Sequence, residues 1–167
     1  MMYASEDEFL ADFVMRTKEN IKYCSKSPYE VTQLINSMIG LLVIPKEKYI
    51  DLISDDLISS ELLQKMLDCV EFDSYSDNGT LKGIVRHLRN AISHSKFDFK
   101  AERQPMHDTP LLIHSVTFED NREKDGIIFD FKAEIPLDLL KEFLFDFSDA
   151  LAIKATKQKE SGKVRRK

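Results

Sequence analysis

The sequence predicts a mainly α fold, a helical bundle of about five helices with one β-hairpin inserted before the C-terminal helix. Apolar residues recur at helical spacing through most of the 167-residue chain. They make up 43% of it, and only 5 Gly and 5 Pro occur, which excludes a low-complexity chain and is enough for one sizeable core. Two short β-type runs within about residues 111–133 interrupt the helical pattern and flank a charged turn, which predicts the hairpin.

The first two helices are predicted from their start signals. Residues 5–8 (Ser-Glu-Asp-Glu) form a capping-box pattern, and apolar residues then recur at helical spacing as far as Ile21. Residues 27–30 (Ser-Pro-Tyr-Glu) place a capping Ser, a Pro at the first helical position and a Glu at the third. The helix that follows is apolar on most faces and stops at Pro45, so we expect it to be the central core helix.

Three further helices complete the predicted order. Residues 59–70 contain a capping Ser followed by apolar residues at helical spacing, which predicts the third helix. Thr80 can cap a fourth helix that runs from residue 81 to about residue 96. After the hairpin, Pro136 begins a last amphipathic helix.

Charge is distributed unevenly along the chain. The 24 basic and 29 acidic residues give a net charge of −5, but residues 154–167 alone carry seven basic residues and one acidic residue, a charge of +6. Residues 1–153 therefore carry −11, and we predict one helical domain there, followed by a basic, disordered tail at 154–167. An acidic domain argues against a surface that coats nucleic acid broadly, while the tail can add a salt-sensitive grip on phosphates.

Composition also argues against export, membrane insertion and zinc or disulfide scaffolds. The N-terminal segment is acidic where a secretory signal is basic and then apolar, and the longest strongly apolar run, residues 38–44, is far shorter than the ~20 residues that span a bilayer. Cys24 and Cys69 lie 45 positions apart, without a CxxC motif or a nearby His. The sequence predicts a soluble, cytoplasmic protein that makes no contact with a membrane.

The predicted fourth helix carries the residues with chemical potential. A helical wheel places apolar residues on one side of it and a cluster of polar residues on the other. Six polar residues occupy this face or its edge: Arg86, His87, Arg89, Asn90, Ser93 and His94. An arginine can bind a phosphate bidentately, an amide can orient it, and a neutral imidazole can take a proton from a ribose 2′-hydroxyl near pH 7. No carboxylate cluster or paired-histidine spacing typical of a metal site accompanies them, so the pattern predicts RNA cleavage without a metal or another cofactor.

The string from Arg89 to His94 (Arg-Asn-Ala-Ile-Ser-His) closely resembles the Arg-polar-x-x-x-His signature of the HEPN (higher eukaryotes and prokaryotes nucleotide-binding) superfamily. Residues 34–49 are similar to the second helix of stand-alone bacterial HEPN proteins found on plasmids and near defence systems. The resemblance implies a homodimer whose motif helices line one cleft, and metal-independent endoribonuclease activity that leaves a 2′,3′-cyclic phosphate. It also implies that Arg89 engages the scissile phosphate, Asn90 orients it, and His94 transfers a proton.

Three further residues are assigned from the helical wheel and not from the signature. Arg86, His87 and Ser93 lie outside the signature and are proposed from the helical wheel alone, as supporting phosphate or interface contacts.

The resemblance implies a toxin or other conflict system, with RNA and a cognate antitoxin as partners. Two alternatives stay open: a non-catalytic module that binds RNA, a nucleotide or a protein, and a purely structural partner. For His94, the alternative is a helix-terminal histidine favoured by the helix dipole.

Overall fold

A computed structural model describes residues 6–24, 30–43, 50–74, 79–102 and 112–164 of the chain. Within these ranges it contains five α-helices and six β-strands. The chain divides into two compact units. Unit 1 comprises Met1–Ile58 and Leu144–Lys167, and unit 2 comprises Ser59–Phe143. The mainly α class that the sequence predicts is confirmed.

Unit 1 is helical. Its elements are α1 (Glu6–Cys24), α2 (Glu30–Met38), a π-helical turn (Ile39–Val43), two 3₁₀ turns (Ile50–Leu52 and Asp55–Leu57) and the C-terminal part of the last helix. Apolar residues at helical spacing are buried in both α1 and α2, as their periodicity predicts. Ser5, residues 27–29 and Pro45, which carry the predicted start and stop signals, lie outside the described residues.

The helices of unit 2 begin where the sequence predicts. They are α3 (Ser60–Asp68) and α4 (Leu81–Ser93). The hydroxyl of Thr80 accepts a hydrogen bond from the backbone N–H of Gly83 at 3.0 Å, and Ser59 caps α3 in the same way. Each cap satisfies a backbone donor that has no partner within its own helix.

Removing the cap of α4 is expected to destabilise the protein without unfolding it. Thr80→Ala deletes the acceptor for the N–H of Gly83, a loss that typically costs about 1 kcal/mol. The free energy of unfolding in urea measures the change. Thr80→Ser keeps the hydroxyl and should lie close to wild type, so equal losses in the two variants would contradict the capping role.

The end of α4 is closed by two backbone hydrogen bonds. The N–H of Lys96 donates to the carbonyl of Ala91 at 2.8 Å. The N–H of Ser95 donates to the carbonyl of Ile92 at 3.1 Å, with Ser95 at a φ of 53°. These are the two bonds of a Schellman motif, with Ser95 in the left-handed position. The helix therefore ends earlier than predicted, and His94 is its C-cap residue.

Four antiparallel strands form a sheet in the order β1 (Val70–Asp73), β6 (Phe131–Pro136), β3 (Leu112–Glu119) and β2 (Phe97–Glu102). In the two central strands, Val116 pairs with Ile135 and Phe118 with Ala133, and all four side chains are buried. Helix α4 lies against β3. One face of the sheet is thus covered, because side chains alternate between its two faces along each strand.

A second, smaller hairpin stands between β3 and β6 in the chain. It consists of β4 (Arg122–Lys124) and β5 (Ile127–Phe129). The turn residues Asp125 and Gly126 have φ values of 54° and 77°, and positive φ at both positions is the type I′ geometry of two-residue hairpins. The guanidinium of Arg122 lies 5.1 Å from the ring centre of Phe129, a cation–π contact that ties the two strands together.

The prediction of a single hairpin is wrong, because the strand content is larger. The predicted strands at 111–118 and 127–133 do lead to a pair, β3 with β6, but the second run is divided between β5 and β6. The edge strands β1 and β2 were not predicted. Strand β1 pairs with β6, which is distant in sequence, and local periodicity carries no information about such a partner. Strand β2 pairs with β3, the next strand along the chain.

The last helix, α5 (Leu137–Val164), starts directly after Pro136, as predicted. It continues past residue 154, the predicted start of a basic, disordered tail, because Lys, Gln, Glu and Ala fill this stretch and favour a helix. Within unit 1 the ammonium of Lys154 donates to the hydroxyl of Ser54 at 2.7 Å. Neither α5 nor any other helix in the described ranges is long and apolar enough to span a membrane.

Candidate functional site

The six candidate residues on α4 differ in exposure. Five are half-buried or exposed: Arg86, Arg89, Asn90, Ser93 and His94. His87, which the helical wheel places at the edge of the polar face, is instead only 1% exposed. Its burial makes a direct contact with RNA a poorer interpretation of this residue than a contact inside the protein.

The ring of His87 has a stacking partner and a partner for each of its two nitrogens. It stacks on the ring of Phe131 in β6, with centres 4.3 Å apart and planes 14° from parallel. Nδ1 lies 2.9 Å from Oδ2 of Asp120, and Nε2 lies 3.1 Å from Nη2 of Arg86. The wheel could not show this environment, because it depends on the strands beside α4 and not on the helix alone.

Asp120 is the site residue that sequence reasoning missed. It directly follows β3, is 7% exposed, and exchanges two backbone hydrogen bonds with Phe131, at 3.1 and 3.2 Å. Its Oδ2 also accepts a hydrogen bond from Nδ2 of Asn90 at 2.9 Å. Burial by itself would raise the pKa of Asp120, but hydrogen bonds from His87 and Asn90, together with the charge of Arg86, hold the pKa below the usual aspartate value. In the sequence Asp120 lies in a turn-rich acidic stretch and carries no signal of its own.

One further hydrogen bond links Arg89 to these residues. Nη1 of Arg89 donates to Oδ1 of Asn90 at 2.9 Å. Five side chains are thereby linked in one chain of hydrogen bonds, which we term the Asp120 network: Arg86, His87, Asp120, Asn90 and Arg89. The network contains two guanidinium groups and one carboxylate, so positive charge predominates in it on a partly exposed face. Such a group suits an anionic ligand.

His94 lies next to the network in sequence but outside it. Its ring is exposed at the C-cap of α4, and within the described part of the chain it has no hydrogen bond to the network. A cavity of about 420 Å³ opens at this end of the helix, lined by Ser95 beside His94 and Asn121 beside Asp120. Thr117 also lines it, and the hydroxyl of this residue is buried and has no hydrogen-bond partner among the described residues. The cavity offers room for a nucleotide-sized group next to the C-terminal end of α4, although His94 does not line it.

The structure therefore brings together only part of the predicted site. Arg89 and Asn90 are in contact, and Arg86 and His87 join them through Asp120. Ser93 and His94 are exposed and do not take part. No group of three His, Cys, Asp or Glu side chains suited to hold a metal ion occurs among the described residues.

Comparison with known proteins gives one match. A protein-family model described as HEPN pEK499 p136 matches residues 1–158 of the chain. A search of curated proteins and a search of solved structures each find no significant match. The matched range includes the whole Asp120 network and His94.

Proposed function

The chain belongs to the HEPN pEK499 p136 family, and from that premise we propose that it is a metal-independent endoribonuclease. HEPN domains act as nucleases or nucleotide-binding modules, and they are often RNases. The observation that carries the proposal is the pair of guanidinium groups that the Asp120 network holds on the helix ending at His94. Positioned arginines bind a phosphodiester, and an exposed imidazole beside them can move a proton.

The proposed reaction uses the hydroxyl of the substrate as its nucleophile. The ribose 2′-oxygen attacks the adjacent phosphorus, and His94 takes the proton from the 2′-hydroxyl. The bond from phosphorus to the 5′-oxygen breaks, which leaves a 2′,3′-cyclic phosphate on one product and a 5′-hydroxyl on the other. Arg89 binds the non-bridging oxygens as negative charge develops on them, and Asn90 orients Arg89. This step needs no activated water, because the attacking oxygen already belongs to the RNA.

We further propose that the active species is a homodimer. The 5′-oxygen leaves with a proton, and one protomer contributes a single His94, so a second copy of α4 completes an acid–base pair. HEPN domains often dimerise, which supports this arrangement. A two-fold dimer also doubles the positive charge of Arg86 and Arg89 in one cleft, which offsets the acidity of residues 1–153.

The cellular setting belongs to the same proposal. An endoribonuclease of this kind acts on cytoplasmic RNA and fits a bacterial toxin or defence system, where a cognate antitoxin would restrain it. Within that setting Arg86 and His87 support the site through the Asp120 network, while Ser93 is a candidate RNA or dimer contact at the exposed end of α4.

One observation favours a second candidate function. His94 stands at the C-cap of α4, where the helix dipole favours a histidine whatever its chemistry, and it lies outside the Asp120 network. A non-catalytic HEPN module that binds RNA through Arg86 and Arg89 would have the same structure. Binding without cleavage is its signature.

The test is RNA cleavage by the purified full-length protein in the presence of EDTA. We expect cleavage of single-stranded RNA, products with 2′,3′-cyclic phosphate and 5′-hydroxyl ends by mass spectrometry, and a dimer at micromolar concentration by light scattering. Cleavage that requires a metal ion would contradict the proposed chemistry. Binding without cleavage would favour the second candidate, and a fully active monomer would overturn the two-protomer site.

A further inference from the structure

We propose that Asp120 is a positioning residue that sets the two arginines of the site in place before RNA binds, a role that rests on the proposed function. Its carboxylate acts on both arginines through two neighbouring side chains. It holds His87 and Asn90, and these two side chains each present an acceptor atom to one guanidinium group.

The hydrogen bonds determine which ring nitrogen of His87 carries the proton. A guanidinium group has donors and no acceptor, so Nε2 of His87, 3.1 Å from Nη2 of Arg86, must be the acceptor of that bond. Nε2 therefore carries no proton, and the neutral ring has its single proton on Nδ1. Nδ1 then donates to Oδ2 of Asp120 at 2.9 Å. The aspartate thus selects one tautomer, and that tautomer offers its lone pair to Arg86.

The amide of Asn90 is oriented by the same atom. Its Nδ2 donates to Oδ2 of Asp120, which turns Oδ1 toward Nη1 of Arg89. A single carboxylate oxygen thereby orients two side chains, and each of them orients one arginine. The two arms are an Arg-His pair and an Arg-Asn pair spaced three residues apart on α4, so they stack one turn apart on the same face.

The carboxylate itself is held firmly. The backbone N–H and carbonyl of Asp120 both form hydrogen bonds with the backbone of Phe131, and the ring of Phe131 stacks on His87. At 7% exposure the charge is largely removed from water, a costly placement unless hydrogen bonds and opposite charge compensate it. That compensation makes the network rigid, and guanidinium groups fixed in advance lose less entropy when a phosphate binds.

The first experiment that tests this proposal needs no RNA. We compare wild type with Asp120→Ala, Asp120→Asn and Glu123→Ala, which removes one exposed negative charge from the neighbouring hairpin. Nitrogen-15 NMR of the histidine rings should show His87 protonated on Nδ1 in wild type, Asp120→Asn and Glu123→Ala. An amide oxygen can still accept both hydrogen bonds, so Asp120→Asn keeps the tautomer, whereas Asp120→Ala should lose it. A His87 protonated on Nε2 in wild type overturns the proposal, even if Asp120→Ala fails to fold.

The second experiment measures binding to an RNA that is 2′-O-methylated at every ribose and therefore cannot be cut by this chemistry. Loss of the positioning carboxylate should weaken binding about tenfold in Asp120→Ala, equivalent to about 1.4 kcal/mol, with a smaller loss in Asp120→Asn and none in Glu123→Ala. Equal affinity of Asp120→Ala and Glu123→Ala overturns the proposal.

Cleavage of unmodified RNA separates the two proposals. If wild type and Asp120→Ala cut RNA equally well, the ribonuclease assignment stands and the role of Asp120 fails. If wild type binds RNA but cuts nothing, the ribonuclease assignment fails, while the tautomer and the affinities still decide the role of Asp120. If wild type does not bind RNA at all, both proposals fail.

Discussion

Replacing His94 by alanine is expected to abolish RNA cleavage while RNA binding persists. Loss of a group that transfers a proton in the transition state typically lowers the rate by about 10²–10⁴-fold. The ring of His94 is exposed and lies outside the Asp120 network, so its removal should leave the fold and the positions of Arg86 and Arg89 unchanged. Single-turnover cleavage and equilibrium binding to the 2′-O-methylated RNA, measured side by side in EDTA, report the two effects separately.

His114 supplies the matched control for this variant. It is an exposed histidine on β3 of the same unit, so His114→Ala makes the same chemical change away from the site. We expect His114→Ala to cleave at the wild-type rate. Equal rates for His94→Ala and wild type would remove His94 from the mechanism and leave its place at the helix end as a consequence of the dipole.

Arg89→Ala is expected to reduce both affinity and cleavage, because its side chain contacts the phosphate before and during reaction in the proposed mechanism. Removing one positioned donor of a developing anion costs about 10²–10³-fold in rate. Asn90 keeps its bond to Asp120 in this variant, so the network should not collapse. The rate at saturating RNA measures the loss in turnover. Comparison with the rate at low RNA concentration measures the loss in binding.

Two further substitutions sharpen the result for Arg89. Arg89→Lys keeps the charge but loses the planar group that binds two phosphate oxygens at once, so we expect it to recover affinity more than rate. Arg16→Ala removes the same charge from α1, where the side chain is 51% exposed and paired with Asp12, and should change neither. A fully active Arg89→Lys variant would show that Arg89 acts only as a point charge.

Local signals in the sequence predicted the helical part of the fold well. The caps at Ser59 and Thr80 and the start after Pro136 depend on residues within one turn, and all three lie where they were predicted. The edge strand β1 could not be predicted in this way, because it pairs with β6, which is far away in sequence. The prediction of a tail from residue 154 rests on charge, whereas the helix propensity of the same residues agrees with the continuation of α5 to Val164.

Helix α4 likewise has some features that are local in the sequence and others that depend on packing. Spacing and the capping residue, which are local properties, place Arg89 and Asn90 in one helix and His94 at its end. The inward position of His87, and the position of Asp120 between the Arg86–His87 and Arg89–Asn90 pairs, 30 residues from Asn90, depend on tertiary packing. Helix α4 packs beside β3, so the carboxylate that follows the end of this strand lies next to the helix. A contact of this kind depends on how the elements pack, which no pattern along a single segment can express.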